Sequence, residues 1–277
     1  MDRAYCEVDV FTAEPYRGNP VAVVLDGEGL STEEMQRFAN WTNLSETTFL
    51  LPPTDPAADY LVRIFTALQE LPFAGHPTLG SCHAWLANGG VPAGRDRIMQ
   101  ECGVGLVTVR RDGDHRLAFA APPLVRSGPL DPATRTEAAT ALGITEEQIV
   151  DSAWIDNGPG WLGILLSSAD EVLALRPGST DLKIGVVGPH PPGAPDAYEV
   201  RGFFPANGAL VEDPVTGSLN ASAAQWLIGS GRFTPPYTAT QGTVLGRSGI
   251  VHISADDEGQ VWVAGDVTTC ITGTVSL

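Results

Sequence analysis

Two stretches of this chain read as helices without a polar face. The first is Ser81-Cys82-His83-Ala84-Trp85-Leu86, stopped by Gly89-Gly90. The second carries Leu219, Ala223, Trp226 and Leu227 and is stopped by Gly229-Ser230-Gly231. A helix with tryptophan among leucine and alanine on most of its sides has to be enclosed by other elements. A weak duplication points the same way. Arg63, Phe65, Glu70, Pro77, Gly80, Ser81, Trp85, Leu86 and Gly89 occur in that order, and so do Arg201, Phe203, Glu212, Pro214, Gly217, Ser218, Trp226, Leu227 and Gly229. From arginine to proline is fourteen residues in one copy and thirteen in the other. The expectation is two like halves, each wrapping a sheet around an apolar helix.

A polar loop leads into each helix. In Phe73-Ala74-Gly75-His76-Pro77-Thr78-Leu79-Gly80, His76 stands between a glycine and a proline. Gly75 permits close backbone approach to a ligand. Pro77 suits a first helical turn, where a missing N–H costs nothing. The N–H groups beyond it aim partial positive charge at whatever lies in front, ideally an anion. The second entry is Glu212-Asp213-Pro214-Val215-Thr216-Gly217-Ser218. Were both helix starts to face one cleft, they would converge on a ligand carboxylate beside His76 and Asp213. The plainer reading makes both residues ordinary caps, above all Asp213, one residue ahead of a proline at the first helical position.

The rest of the chain supplies the sheets. Residues 5–12 and 21–25 read as strands of a hairpin-like start around Gly18-Asn19-Pro20. Ser31 and Glu34 form a capping box for a helix through Met35, Phe38, Ala39 and Thr42 that ends near Asn43. Residues 44–51 read as a strand holding Glu46, a carboxylate that is either a rim residue or a placed acid/base; on composition alone the rim is the commoner case. Strands are expected at 60–66, 98–102, 105–110 and 116–120, with Asp112-Gly113-Asp114 as a hairpin turn. Pro122-Pro123 marks a boundary, which gives an N-terminal half over 1–120, joined by the closing strand 267–277, and a C-terminal half over 121–266. In the latter, Asp131 and Pro132 open a helix that Gly143 ends, and Thr145 starts a second short one. Ser168 with Glu171 caps a third helix, and strands are expected at 153–157, 161–166, 182–187, 198–204, 243–245, 249–254 and 261–265.

The net charge of −17 over 277 residues repels nucleic acid and anionic membranes, so neither is expected as a partner. Cys6, Cys82, Cys102 and Cys270 have no C-x-x-C spacing, which argues against a zinc site or a disulfide framework. The first residues do not read as a signal peptide, and no apolar run has the length of a membrane span. The expected compartment is cytoplasmic.

Five segments, in order, are similar to one family. They are Val8-Asp9-Val10-Phe11-Thr12, Gly18-Asn19-Pro20-Val21-Ala22-Val23, Asn43-Leu44-Ser45-Glu46-Thr47-Thr48-Phe49, Gly75-His76-Pro77-Thr78-Leu79-Gly80 and Glu212-Asp213-Pro214-Val215-Thr216-Gly217-Ser218. In them the chain resembles the PhzF-like isomerases of phenazine biosynthesis, within the diaminopimelate-epimerase-like fold. The resemblance implies an α+β protein of two pseudo-symmetric domains, each a curled, mostly antiparallel sheet around a central helix, with the active site between them. It also implies a homodimer, a small carboxylated substrate and no cofactor. The family's acid/base glutamate falls on Glu46, and the groups that orient the substrate fall on His76 and Asp213. Substrate-binding positions fall on Gly75, Gly217, Ser218 and Asn19. The implied reaction belongs to secondary metabolism and moves a proton and a double bond, as in the isomerisation of trans-2,3-dihydro-3-hydroxyanthranilate.

One carboxylate can take such a proton and give it back, and apolar neighbours such as Leu44, Phe49 and Leu50 would tune it by desolvation. Three alternatives stay open: isomerisation of a tyrosine-derived diene in an alkylproline or pyrrole antibiotic pathway, two-base epimerisation, and a non-catalytic binding module. Racemisation by two thiols is disfavoured, because Cys82 and Cys102 fall inside elements rather than at the helix entries. The chain departs from the family pattern at Thr66-Ala67, usually Thr-Pro, and at Gly246-Arg247-Ser248-Gly249, often Gly-Arg-Pro-Gly.

Overall fold

A computed structural model describes residues 1–94, 97–113, 116–206 and 208–277, so Asp114 of the expected hairpin turn lies outside the described residues. The chain divides into one unit of residues 1–120 and 264–277 and a second of residues 121–263. The first contains β1 (Asp2–Val10), β2 (Asn19–Val24), α1 (Thr32–Thr42), β3 (Glu46–Leu51), β4 (Tyr60–Phe65), β5 (Glu70–Leu71), α2 (Gly75–Ala87), β6 (Arg97–Cys102), β7 (Gly105–Asp112) and β8 (Arg116–Ala120). The second contains β9 (Arg126–Pro129), α3 (Pro132–Leu142), β10 (Asp151–Asp156), β11 (Trp161–Leu165), α4 (Ala169–Ala174), β12 (Lys183–Pro189), β13 (Tyr198–Ala206), β14 (Ala209–Asp213), α5 (Gly217–Gly229), β15 (Tyr237–Gln241) and β16 (Gly249–Ala255). The last strand, β17 (Val261–Ser276), carries the chain back into the first unit.

Strand pairing makes the duplication explicit. In the first unit β1–β2 is antiparallel, β2–β3 parallel, β3–β4 and β4–β5 antiparallel, β4–β6 parallel and β6–β7 antiparallel. The second unit repeats that series from β10 to β16. Parallel neighbours need a crossover connection, and α1, α2, α4 and α5 are those crossovers. The first sheet continues through β8, and β17 pairs with both β1 and β8, closing the sheet around α2. α2 accordingly touches β1, β2, β3, β6, β7 and β8, and α5 touches β10, β11 and β12.

Each sheet is also covered on its other face. Met35, Phe38 and Ala39 of α1 pack on Val24, Phe49 and Phe65. Ala138 and Leu142 of α3 and Val172 of α4 pack on Leu162, Ile184 and Phe203. Strands buried on both faces read as continuous apolar runs, as Val21–Val24 and Trp161–Leu165 do.

The repeated Arg-x-Phe and Glu are a clamp across one strand pair. Phe65 stands opposite Glu70, and Phe203 opposite Glu212. An arginine two residues earlier shares the face of its phenylalanine. Arg63 Nε and Nη2 each lie 2.7 Å from a Glu70 oxygen, and Arg201 makes the same fork on Glu212 at 3.1 and 2.6 Å. Each guanidinium also lies over its own phenylalanine, 5.2 and 4.9 Å from the ring centre. The proline correspondence fails: α2 starts at Gly75 and holds Pro77 in its first turn, whereas α5 starts three residues after Pro214.

The helices pack by opposite means. On α2 the small residue is on the helix: a Cβ on Gly80 would lie 2.4 Å from Val21 and 3.0 Å from Val8. Around α5 it is on the strand: a Cβ on Gly185 would lie 2.1 Å from Leu219.

The helix caps stand where the local sequence puts them, as a capping box at Ser31–Glu34 and as single caps at Asp131 and Ser168, and Gly143 ends its helix. Three expectations need correction. The first central helix begins at Gly75 rather than Ser81. Residues 243–245 form a 3-10 turn between left-handed glycines at 242 and 246, not a strand. Residues 261–276 make one strand, not two. Strands β5, β9, β14 and β15 are short or polar and leave no alternation to read. Among the described residues no helix is long and apolar enough to cross a membrane.

Gly80→Ala overpacks the first core and is expected to lower stability by about 1–3 kcal/mol. Gly229→Ala, with nothing within 4 Å of the added carbon, should be near neutral when both variants are compared by urea titration. Arg201→Met strands a partner that is 8% exposed and should cost about 3–5 kcal/mol. Arg63→Met, whose partner is 38% exposed, should cost under about 1 kcal/mol.

Candidate active site

The end of α1 sets the first group. Asn43 closes that helix in the left-handed conformation, and Thr42 Oγ1 meets Thr47 Oγ1 at 2.8 Å. The chain turns at once into β3, with Glu46 beside Val21 of the parallel neighbour β2. His76 is the second residue of α2, and its Nε2 lies 3.1 Å from Glu46 Oε2. On the other side of the ring, Nδ1 lies 3.4 Å from Asn19 Nδ2. Asn19, the first residue of β2, is wholly buried, His76 is 4% exposed, and the Glu46 side chain, at 15%, is the one solvent can reach. Gly75 is the first residue of α2, and Ala74, the residue at the cap, offers no side-chain bond to the helix start. The leading N–H groups of α2 therefore carry no side-chain cap.

Distance alone would make His76 and Glu46 an ion pair, but burial decides otherwise. It pushes the imidazole from an ordinary 6.5 down to about 3, against the opposing effect of a backbone hydrogen bond with Pro20. At neutral pH the ring is uncharged. Its contact with Glu46 is close without the alignment of a full hydrogen bond.

The second group lies where β14 meets α5. Asp213 is the last residue of β14 and is not a helix cap. Thr216 holds the cap position, yet its hydroxyl donates to Asp213 Oδ2 at 2.6 Å instead of serving the helix. Gln241 ties this corner together: its Oε1 accepts the Thr216 N–H at 3.0 Å and Asn220 Nδ2 at 2.7 Å, and its Nε2 donates to the Asp213 carbonyl at 3.2 Å. Gly217 and Ser218 open α5, again with no side-chain cap. Ser218 Oγ accepts from Trp161 Nε1 at 3.0 Å, and the Ser218 carbonyl accepts from Asn157 Nδ2 at 2.9 Å.

Of the residues named from the sequence, Glu46, His76, Asn19 and Gly75 thus come together in the first unit, and Asp213, Gly217 and Ser218 in the second. Gln241, Asn157 and Trp161 were not named. The one local signal near them was Gly158-Pro159-Gly160, which marks a turn but no role. Cys6, Cys82 and Cys102 are buried and Cys270 is half-buried, with burial pushing Cys82 up to about 12 and Cys6 up to about 11. Among the described residues no cluster of three or more His, Cys, Asp or Glu side chains could hold a metal ion.

Comparison with known proteins shows the family and the fold. Residues 8–273 match the family described as phenazine biosynthesis-like protein, PhzC-PhzF. A protein of Schizosaccharomyces pombe named antisense-enhancing sequence 1 is 40% identical, with 98% of each chain covered. The trans-2,3-dihydro-3-hydroxyanthranilate isomerase of Pseudomonas fluorescens is 33% identical, with 99% of each chain covered. The solved PhzF-family phenazine biosynthesis protein of Bacillus anthracis matches over 100% of each chain with a TM-score of 0.83 at 21% identity, a likeness of fold.

The buried imidazole has a consequence for stability. Between about 3 and 6.5 the unfolded chain binds a proton on this ring that the folded chain does not. Stability therefore falls as pH drops from about 6.5 toward 3, and the loss is absent above 6.5. The thermal midpoint of the unmodified protein should fall more steeply from pH 7.5 to pH 4 than that of His76→Gln. Parallel curves would remove His76 as the responsible group.

Proposed function

Because the chain belongs to the PhzC-PhzF family of phenazine biosynthesis-like proteins and is an isomerase of that family, we propose that it moves a proton, and with it a double bond, on a small carboxylated substrate by means of one carboxylate, Glu46. The observation that carries this reading is the Glu46 carboxylate set against a neutral, buried histidine at the start of a central helix.

The roles follow from the groups. Glu46 opens strand β3 and is the residue of its group whose side chain solvent can reach. It takes the proton from one carbon and returns it to another. His76, held neutral to about pH 3, does not compete as a base and serves to orient. The uncapped N–H groups at Gly75 suit the substrate carboxylate and the charge that develops next to it. For Gly217, Ser218 and Asp213, whose Oδ2 accepts from the Thr216 hydroxyl, the substrate-holding and orienting roles are those the family resemblance implies. The reaction as written needs no cofactor. Trans-2,3-dihydro-3-hydroxyanthranilate is the first substrate to try, on the strength of the Pseudomonas fluorescens relative's name. A tyrosine-derived diene acid is the second. Epimerisation would need a second base, and thiols raised to about 11 and 12 suit that poorly.

The test is deuterium incorporation. Candidate substrates incubated with the protein in heavy water should gain deuterium at one carbon, read by NMR. Glu46→Gln should cut that rate by about 10²–10⁴-fold while leaving binding in place. Turnover that survives Glu46→Gln would remove Glu46 as the proton carrier. Saturable binding with no exchange in the unmodified protein would support the binding-module reading instead.

A further inference from the structure

One buried carboxylate beside the Glu46 group has no part in the reaction as written. Asp9 of β1 is 2% exposed, and its Oδ2 accepts the backbone N–H of Arg17 at 2.7 Å and of Gly18 at 3.0 Å. Those amides end the loop between β1 and β2, and the next residue is Asn19. The loop is wound tightly. Phe11 and Tyr16, neither of them glycine, sit at φ 67° and 70°, a conformation such residues keep only where their surroundings hold it. At Gly18 a Cβ would lie 2.1 Å from the Val10 carbonyl, so no other residue fits there. Asn19 then enters the ladder opposite Val10, wholly buried, with Nδ2 facing His76 Nδ1 at 3.4 Å.

We propose that Asp9 and Asn19 are positioning residues that set the tautomer of His76: Asp9 pegs the Arg17–Gly18 backbone, this aims the Asn19 amide N–H at Nδ1, and the ring proton is thereby kept on Nε2, facing Glu46. The chemistry is that of a neutral imidazole, in which one nitrogen donates and the other accepts. A donor at Nδ1 makes that atom the acceptor. An Nε2–H on the Glu46 side, 3.1 Å away though not in hydrogen-bond alignment, favours the ionised carboxylate, the form that can take a proton from substrate. With the proton on Nδ1, a lone pair would face Glu46 and favour its protonated form instead. The Pro20 carbonyl also reaches the ring and pulls the other way, since it accepts a ring proton. Asn19 thus acts on the histidine rather than on the substrate. The inference rests on Glu46 as proton carrier for its use, though not for its tautomer.

The test separates the two. Protein labelled with ¹⁵N-histidine and studied by long-range ¹H–¹⁵N NMR reports the His76 tautomer without any substrate. The expected result is a proton on Nε2 throughout pH 5–8. Asn19→Asp, which exchanges the donor for an acceptor, should move it to Nδ1 and cut deuterium exchange by about a hundredfold, through kcat with KM little changed. Asn19→Ala, which removes the donor and serves where Asn19→Asp does not fold, should give mixed tautomers. Asp9→Ala should mix the tautomers too, and Asp9→Asn, which keeps an acceptor for the loop amides, should restore Nε2. A proton on Nδ1 in the unmodified protein, or tautomers unmoved by any of these changes in folded protein, would overturn the proposal. If Glu46→Gln leaves exchange intact while the tautomers respond as stated, the proton carrier is misassigned and the relay stands.

Discussion

The enclosure of α2 is the constraint on which the rest of the first unit depends. A helix with no polar face is stable only with strands on its sides, and the strands around it can approach only because Gly80 leaves room for Val21 and Val8. That close approach brings the start of β3 beside the start of α2. Glu46 and His76, thirty residues apart in the chain, are neighbours for this reason. In the second unit the same enclosure is reached with the small residues on the strands, at Gly185. The architecture is the diaminopimelate-epimerase-like fold of the PhzF family, and its pairing order tolerates either solution.

Burial then sets the chemistry. A histidine at a helix start in water would be a pH switch near neutrality. Packed into the same core, His76 loses its charge and becomes a neutral group with one donor and one acceptor. That neutral ring beside Glu46 is the arrangement on which the proposed acid/base reading rests. The Arg201 clamp is buried with its partners in place. Glu212 and the carbonyls of Val172 and Leu175 satisfy the guanidinium, so it stabilises the sheet.

Much of the architecture was legible from local chemistry. Ser31 with Glu34 and Asp131 with Pro132 start helices wherever they occur, because caps act over three or four residues. The Arg-x-Phe and Glu repeat was visible as a pattern, and register alone explains it, since it places each glutamate opposite its phenylalanine. The strands β5, β9, β14 and β15 were silent, because they are short and, unlike the equally short β8 and β11, carry no apolar run to mark them. Asp213 before Pro214 has the local form of a cap. Gln241, twenty-eight residues away, instead binds the true cap residue Thr216 and leaves Asp213 another partner.

By itself the sequence determined where the side-chain-capped helices begin, that two helices must be enclosed, that the chain holds two like halves, and, by resemblance, its family. Each of these rests on residues a few positions apart or on composition along a segment. Only the tertiary structure decided that His76 meets Glu46 and Asn19, that its imidazole is neutral, and that Asp9 anchors the loop beside them. Those depend on which distant segments pack together and on how completely they exclude water, and neither is a property of any local stretch of chain.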